Sequence, residues 1–140
     1  MLKKIIFIIV SILLFNACKN YTAQIDNEKR EILRVHDVLM PKMDSLYALK
    51  KQVVELKNTL PKLSNSEKSY MDSVSFALVR ADDAMTNWMA QWKDPDDNGV
   101  TEQAALNYLA AQKEIVLTMQ IKFKKALTEG KETVAKYTKK

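Results

Sequence analysis

The feature that most constrains this chain is a run of apolar residues spaced alternately three and four apart: Met71, Val74, Leu78, Ala81, Met85, Trp88 and Trp92. That spacing returns side chains to one face of an α-helix and does not fit the period-two alternation of a strand. Ala77, Ala84 and Met89 lie beside the seam and widen the stripe, which suits a globular bundle better than a two-stranded coiled coil. Two Gly and three Pro in 140 residues are too few for the turns of a β-sandwich. The length allows at most one ordinary domain.

Two further stretches carry the same period. In the first, about 27–60, the apolar positions are Ile32, Val35, Leu39, Met43, Leu46, Val53, Leu56 and Leu60, with a seven-residue gap that holds Leu49 and Lys50. Pro41 interrupts it, because proline removes a helix hydrogen bond and restricts Met40. The spacing predicts one helix kinked there, or else a short helix followed by a second that Pro41 opens. Pro61 ends the element, and Ser64 with Glu67 reads as a capping box for the next. Residues 93–100 form the main loop. Thr101 can cap a last helix whose seam is Ala105, Leu109, Gln112, Val116, Met119, Phe123 and Ala126, flanked by Leu106, Ile115 and Leu127. Gly130 reads as its stop. Residues 131–140 are then a frayed basic tail, or a short further helix using Val134 and Tyr137. The expected fold is all-α: an elongated up-down-up three-helix bundle over 27–130, its first helix kinked or broken at the proline. Helices of about 30 residues would each be roughly 45 Å long, with short connections making neighbours antiparallel.

The front of the chain reads as a processing segment. Lys3 and Lys4 precede a stretch, Ile5 to Phe15, that is apolar except for Ser11. Asn16, Ala17 and the only Cys, Cys18, follow. A basic start, a short apolar core and a small residue before the cut define a signal peptide, here residues 1–17, too short for a comfortable membrane span. The box Leu14-Phe15-Asn16-Ala17-Cys18 resembles a bacterial lipoprotein signal, with Ala17 in the small position and Phe15 where Leu is usual. The resemblance implies that Cys18 becomes the lipid-modified first residue, held by palmitate-like acyl chains in the bilayer. Lys19 stands where an Asp would resemble an inner-membrane retention signal. No acidic export tag follows it. Both point to an outer-membrane anchor with the body facing the periplasm. Residues 18–26 are then the lipidated cysteine and a polar tether, reaching about 25 Å.

The net charge of +5 is unevenly distributed. Two of the bases leave with the signal peptide. Residues 122–140 carry seven lysines against Glu129 and Glu132, while the chain between Cys18 and that tail is mildly acidic. The tail suits anionic lipid or another acidic surface. Nothing in the chain matches a nucleic-acid recognition motif, so nucleic acid is not expected as a partner. One Cys and one His exclude a disulfide framework, a Cys-based zinc cluster and a multi-histidine site within one chain.

The densest cluster of functional residue types is His36-Asp37-Val38-Leu39-Met40-Pro41-Lys42-Met43, and a second stretch, Ala81-Asp82-Asp83-Ala84-Met85, continues to Trp88-Met89. With these two stretches the chain resembles small uncharacterised Bacteroidetes lipoproteins that carry a His-Asp-x-x-Met-Pro-Lys-Met motif. They are often automatically named after a viral A-type inclusion protein, a label that reflects helical composition. The resemblance covers the lipoprotein box and most of the first two helices. It implies no activity, substrate or cofactor.

Several sites are expected from the residues themselves. His36, Met40 and Met43 with Met85 and Met89 offer imidazole and thioether ligands that suit copper(I), although Met is also a common core filler. Asp94-x-Asp96-x-Asn98-Gly99 with Glu102 resembles half of an EF-hand calcium loop, but Ala105 stands where the closing Glu belongs, and the same residues make an ordinary turn. A general base from His36 with Asp37, Asp82 or Asp83 would need a pair formed across helices, since adjacent helical residues diverge. Trp88, Met89, Trp92 and Tyr108 flank the main loop as a core cap or a surface for a protein partner or self-association. The expectation is therefore a non-enzymatic envelope lipoprotein with an interaction or structural role and no cofactor. A small metal-handling lipoprotein, for copper or weakly held calcium, is the alternative.

Overall fold

The structure, a computed structural model, describes residues 2–95 and 99–139, with side chains described from residue 21 onward. It is all-α. Helix α1 spans Leu2–Leu39, a 3-10 turn Met40–Lys42, α2 Met43–Thr59, α3 Asn65–Gln91 and α4 Glu102–Thr138. Kinked at the turn, α1 and α2 make the first member of a three-helix arrangement, with α3 and α4 as the others. By contact the chain divides into two units, one of Met1–Leu33 with Asp94–Glu114 and one of Arg34–Lys93 with Ile115–Lys140.

The second unit holds most of the core. Pro41 produces the kink: Leu39 and Lys42 keep right-handed helical angles, and the chain tightens for one turn before α2 resumes at Met43. The seven-residue gap in the first seam is filled by Leu49, which is buried with Leu46 and Val53. Leu60 turns extended ahead of Pro61, as a residue preceding proline prefers. The expected capping box forms. The Ser64 hydroxyl accepts the Glu67 N–H at 3.2 Å, and the Glu67 carboxylate accepts the Ser64 N–H at 2.9 Å. The short connection sets α3 antiparallel to α2. Met71, Val74, Leu78, Ala81, Met85 and Trp88 of the α3 seam are all buried, and Trp92 is half-buried. Val116, Met119, Phe123, Ala126 and Leu127 of α4 are buried as well.

Two expectations about element ends fail. Gly130 does not stop α4, which runs on to Thr138. A Cβ at Gly130 would stand 3.3 Å from methyls of Leu49 and Leu78, so the glycine lets α4 approach its neighbours rather than cap a helix. The stripe then continues in steps of four, three and four through Ala126, Gly130, Thr133 and Tyr137. Thr133 and Tyr137 are buried. The Tyr137 hydroxyl donates to a Glu67 carboxylate oxygen at 3.2 Å, and Thr133 donates to the Glu129 carbonyl at 2.7 Å. Residues 131–138 are packed helix, not a frayed tail.

The first unit corrects the other end. Residues 21–26, expected as a tether, belong to α1, and Ile25 is buried seven positions before buried Ile32. The helical stripe thus begins earlier than the seam from Ile32 suggests. Ala105, Leu109 and Pro95 are the unit's other buried residues among those described, besides Ile32. Thr101 caps α4 as expected, its hydroxyl accepting the Ala104 N–H at 3.3 Å. Among the described residues no helix is long and apolar enough to cross a membrane. The side chains of the leader and of Cys18 lie outside the described residues.

Candidate functional site

In the second unit α1 and α3 bring His36, Trp88 and Trp92 into one stack. The His36 and Trp88 ring centroids are 5.6 Å apart, and those of Trp88 and Trp92 5.2 Å, both pairs tilted. Tilted aromatic pairs at these distances contribute about 0.5–1.5 kcal/mol each beyond burial. Trp88 is only 7% exposed. It closes the core rather than forming part of an open patch. Met89 and Trp92 are half-buried, and Tyr108, in the first unit, is half-buried there. None of the four residues expected as a partner surface is itself exposed.

The His36 imidazole Nδ1 lies 2.9 Å from an Asp37 carboxylate oxygen, although the residues are adjacent. The expectation that a His–Asp pair must cross between helices is thus incorrect. Adjacent Cβ atoms diverge, but Nδ1 and the carboxylate are close enough to the backbone to meet along the helix surface. His36 is half-buried against Trp88, and Asp37 is exposed. The polar partner of His36 is Asp37, with no methionine sulfur at hydrogen-bond distance among the described residues. Of the thioethers expected to join it, Met85 is fully buried in the core and Met40 is exposed on the 3-10 turn. Met43 and Met89 are half-buried.

The loop expected as half of a calcium site is in the first unit. Both Asp94 carboxylate oxygens face the Lys29 ammonium, at 2.7 and 2.5 Å. A cation binding there would have to displace that lysine. Asp96 and Asn98 lie outside the described residues. Gly99 has φ +57°, the left-handed conformation that a tight turn asks of glycine. Glu102 is exposed in the first turn of α4. Among the described residues no group of three or more His, Cys, Asp or Glu converges on a metal position. A second ionic feature of the unit joins Lys113 of α4 to Glu28 and Glu31 of α1, at 2.9 and 2.8 Å. The hydrogen bonds that the Lys113 ammonium donates to Glu31 and then to Glu28 raise its pKa above the ordinary 10.5.

A further surface, not anticipated from the sequence, is an open groove of about 610 Å³ between α3 and α4 in the second unit. Ala77, Ala81, Ala84 and Ala126 line its floor. Phe76 and Tyr70 stand at its edge, 61% and 44% exposed. Arg80, Lys122 and Lys125 line it against one carboxylate, Glu129. The Arg80 guanidinium sits 5.5 Å from the Phe76 ring centroid, a cation–π arrangement that holds both side chains on the surface. The signal for this groove lies in the sequence as Phe76 and Arg80, an aromatic residue off the apolar seam with a cation four positions on.

Compared with known proteins, the chain matches no family model, no curated protein and no solved structure.

Proposed function

We propose that this chain is a lipid-anchored envelope protein whose helical body is a non-enzymatic interaction module. The anchor is Cys18, the membrane is the outer membrane, and the body faces the periplasm. The α3–α4 groove is the observation that carries the reading. Its rings are held outward, its alanine floor admits a close helix approach, and its positive residues outnumber its single carboxylate. Charge complementarity favours a partner helix that buries an apolar stripe and flanks it with Asp or Glu. The His36–Trp88–Trp92 stack supports a packing role for the histidine rather than a chemical one. The early start of packing in α1, with Ile25 buried, supports a body held close to its anchor.

The two halves of this reading are tested separately. Intact mass of the protein extracted from producing cells should exceed that of the chain from Cys18 onward by a lipid modification. Cys18→Ala should abolish that increment and release the protein from the membrane fraction. An unmodified Cys18 in native cells would refute the anchor. For the groove, an acidic amphipathic helical peptide should bind the full chain more tightly than its basic counterpart. Arg80→Glu with Lys122→Glu should reverse that preference. Binding that ignores both charge changes would refute the proposed partner chemistry.

A further inference from the structure

A second cleft of the same unit has a different character. It opens beside the proline kink, between the 3-10 turn with the start of α2 on one side and α4 on the other, and measures about 640 Å³. Lys42, Lys124 and Lys131 all line it, and no carboxylate does. None of the three lysines makes an ion pair among the described residues. Ser45 and Thr128 add hydroxyls to the same walls, and buried Leu127 gives an apolar floor. Lys124 and Lys131 are seven positions apart, two helical turns or about 10 Å, with Thr128 between them on the same face. Lys42 joins them from across the cleft.

Three ammonium groups sharing one cleft repel one another, and nothing within the cleft offsets that repulsion. A multiply charged anion would relieve it, taking a charge-assisted hydrogen bond from each ammonium while the hydroxyls donate to its remaining oxygens. Lysine presents a mobile point charge rather than the rigid fork of arginine. Such a set suits a tetrahedral phosphate better than a planar carboxylate. Ile121, 69% exposed at the cleft, adds an apolar shoulder for the organic part of such a ligand.

We infer that the cleft at the proline kink binds an organic phosphate ester, through Lys42, Lys124 and Lys131. The phosphate belongs either to a soluble phosphoester or to a phospholipid headgroup, and the chemistry of recognition is the same for both. This site is separate from the α3–α4 groove and does not depend on the reading proposed for it.

The test is lysine acylation footprinting by mass spectrometry on the full chain in neutral detergent micelles. One arm adds glycerol phosphate. The other dopes the micelles with phosphatidylglycerol, against zwitterionic phosphatidylcholine as the control without net charge. Acylation of Lys42, Lys124 and Lys131 should slow several-fold in at least one arm, while exposed Lys51, Lys62 and Lys68 of the same unit react as before. Protection by glycerol phosphate identifies a soluble ligand; protection by phosphatidylglycerol alone identifies a headgroup. Lys131→Gln should remove the protection of Lys42 and Lys124 without changing the far-UV circular dichroism. Lys124→Gln serves the same purpose for Lys42 and Lys131. Lys51→Gln should leave it intact. No protection in either arm, or equal protection of all six lysines, would overturn the inference.

Discussion

The two units are held together by different physics. In the second unit, side chains of α2, α3 and α4 fill a continuous apolar interior, with Leu46, Val53, Met71, Met85, Val116 and Phe123 essentially without solvent contact. In the first unit the buried set is smaller, and charged pairs join its two chain segments: Lys29 to Asp94, and Lys113 to Glu28 and Glu31. Burial is insensitive to salt, whereas partly exposed ion pairs are screened by it and contribute little each. The contrast teaches that one polypeptide can carry a packed half and an ionically fastened half. Local opening should therefore differ between them in both size and salt dependence.

The sharpest way to break this contrast is to remove volume from the packed unit. Phe123→Ala should cost about 3–5 kcal/mol, as expected when a fully buried aromatic side chain leaves a cavity. Chemical denaturation followed by circular dichroism measures it. A loss of less than about 1 kcal/mol would mean that the interior around Phe123 is loosely packed and that the contrast is overstated.

Gly130 tests how tightly that interior is closed. Gly130→Val should destabilise by about 1–3 kcal/mol, because a branched side chain would have to displace the Leu49 and Leu78 methyls. Gly130→Ala should fall near neutral. Its gain of about 1 kcal/mol in helix propensity is set against contacts that must yield by a few tenths of an ångström. A valine variant as stable as the parent would show that α4 can move away from its neighbours at no cost.

These same residues show what the sequence made legible. The α3 seam, the capping box at Ser64, the kink at Pro41 and the Thr101 cap follow from spacing and local chemistry, and each is found where expected. Gly130 misled because a glycine after a lysine-bearing turn has the same local signature whether it ends a helix or lets two helices touch. Only its neighbours distinguish the cases. The continuation to Tyr137 was visible as a three-four stripe, but the basic residues around it suggested a solvated tail. At the other end, Ile25 carries no clear signal, because a single apolar residue among polar ones reads as a tether until another element covers it. The α3–α4 groove depended on which helix lies beside Phe76 and Arg80, and a one-dimensional pattern does not hold that information.

Tyr137→Phe probes the end of the packed unit with a smaller expected effect. It keeps the ring and removes the hydroxyl that donates to Glu67, so the loss should be about 1 kcal/mol. The Glu67 carboxylate also accepts from the Ser64 hydroxyl at 2.9 Å, so Tyr137→Phe combined with Ser64→Ala is predicted to be non-additive. Strict additivity would mean that the start of α3 and the end of α4 are energetically independent.

The smallest global effect, and the most specific to the first unit, is expected at Lys113. Its pKa is raised by Glu31 and Glu28, so the stabilisation it supplies is complete below its ordinary value near 10.5 and is lost as pH climbs through the raised one. Lys113→Gln should abolish that alkaline loss by removing a small stabilisation already present near neutral pH, small because the pair is partly solvent-exposed. Hydrogen exchange resolves the local consequence. Amides of residues 26–32 and 104–113 should exchange faster in Lys113→Gln, and faster in the parent as salt is raised. Those of residues 71–85 should respond to neither change. If the variant or the salt accelerated both sets equally, the ion pairs would be supporting the whole chain and the distinction between a packed unit and an ionically fastened one would not hold.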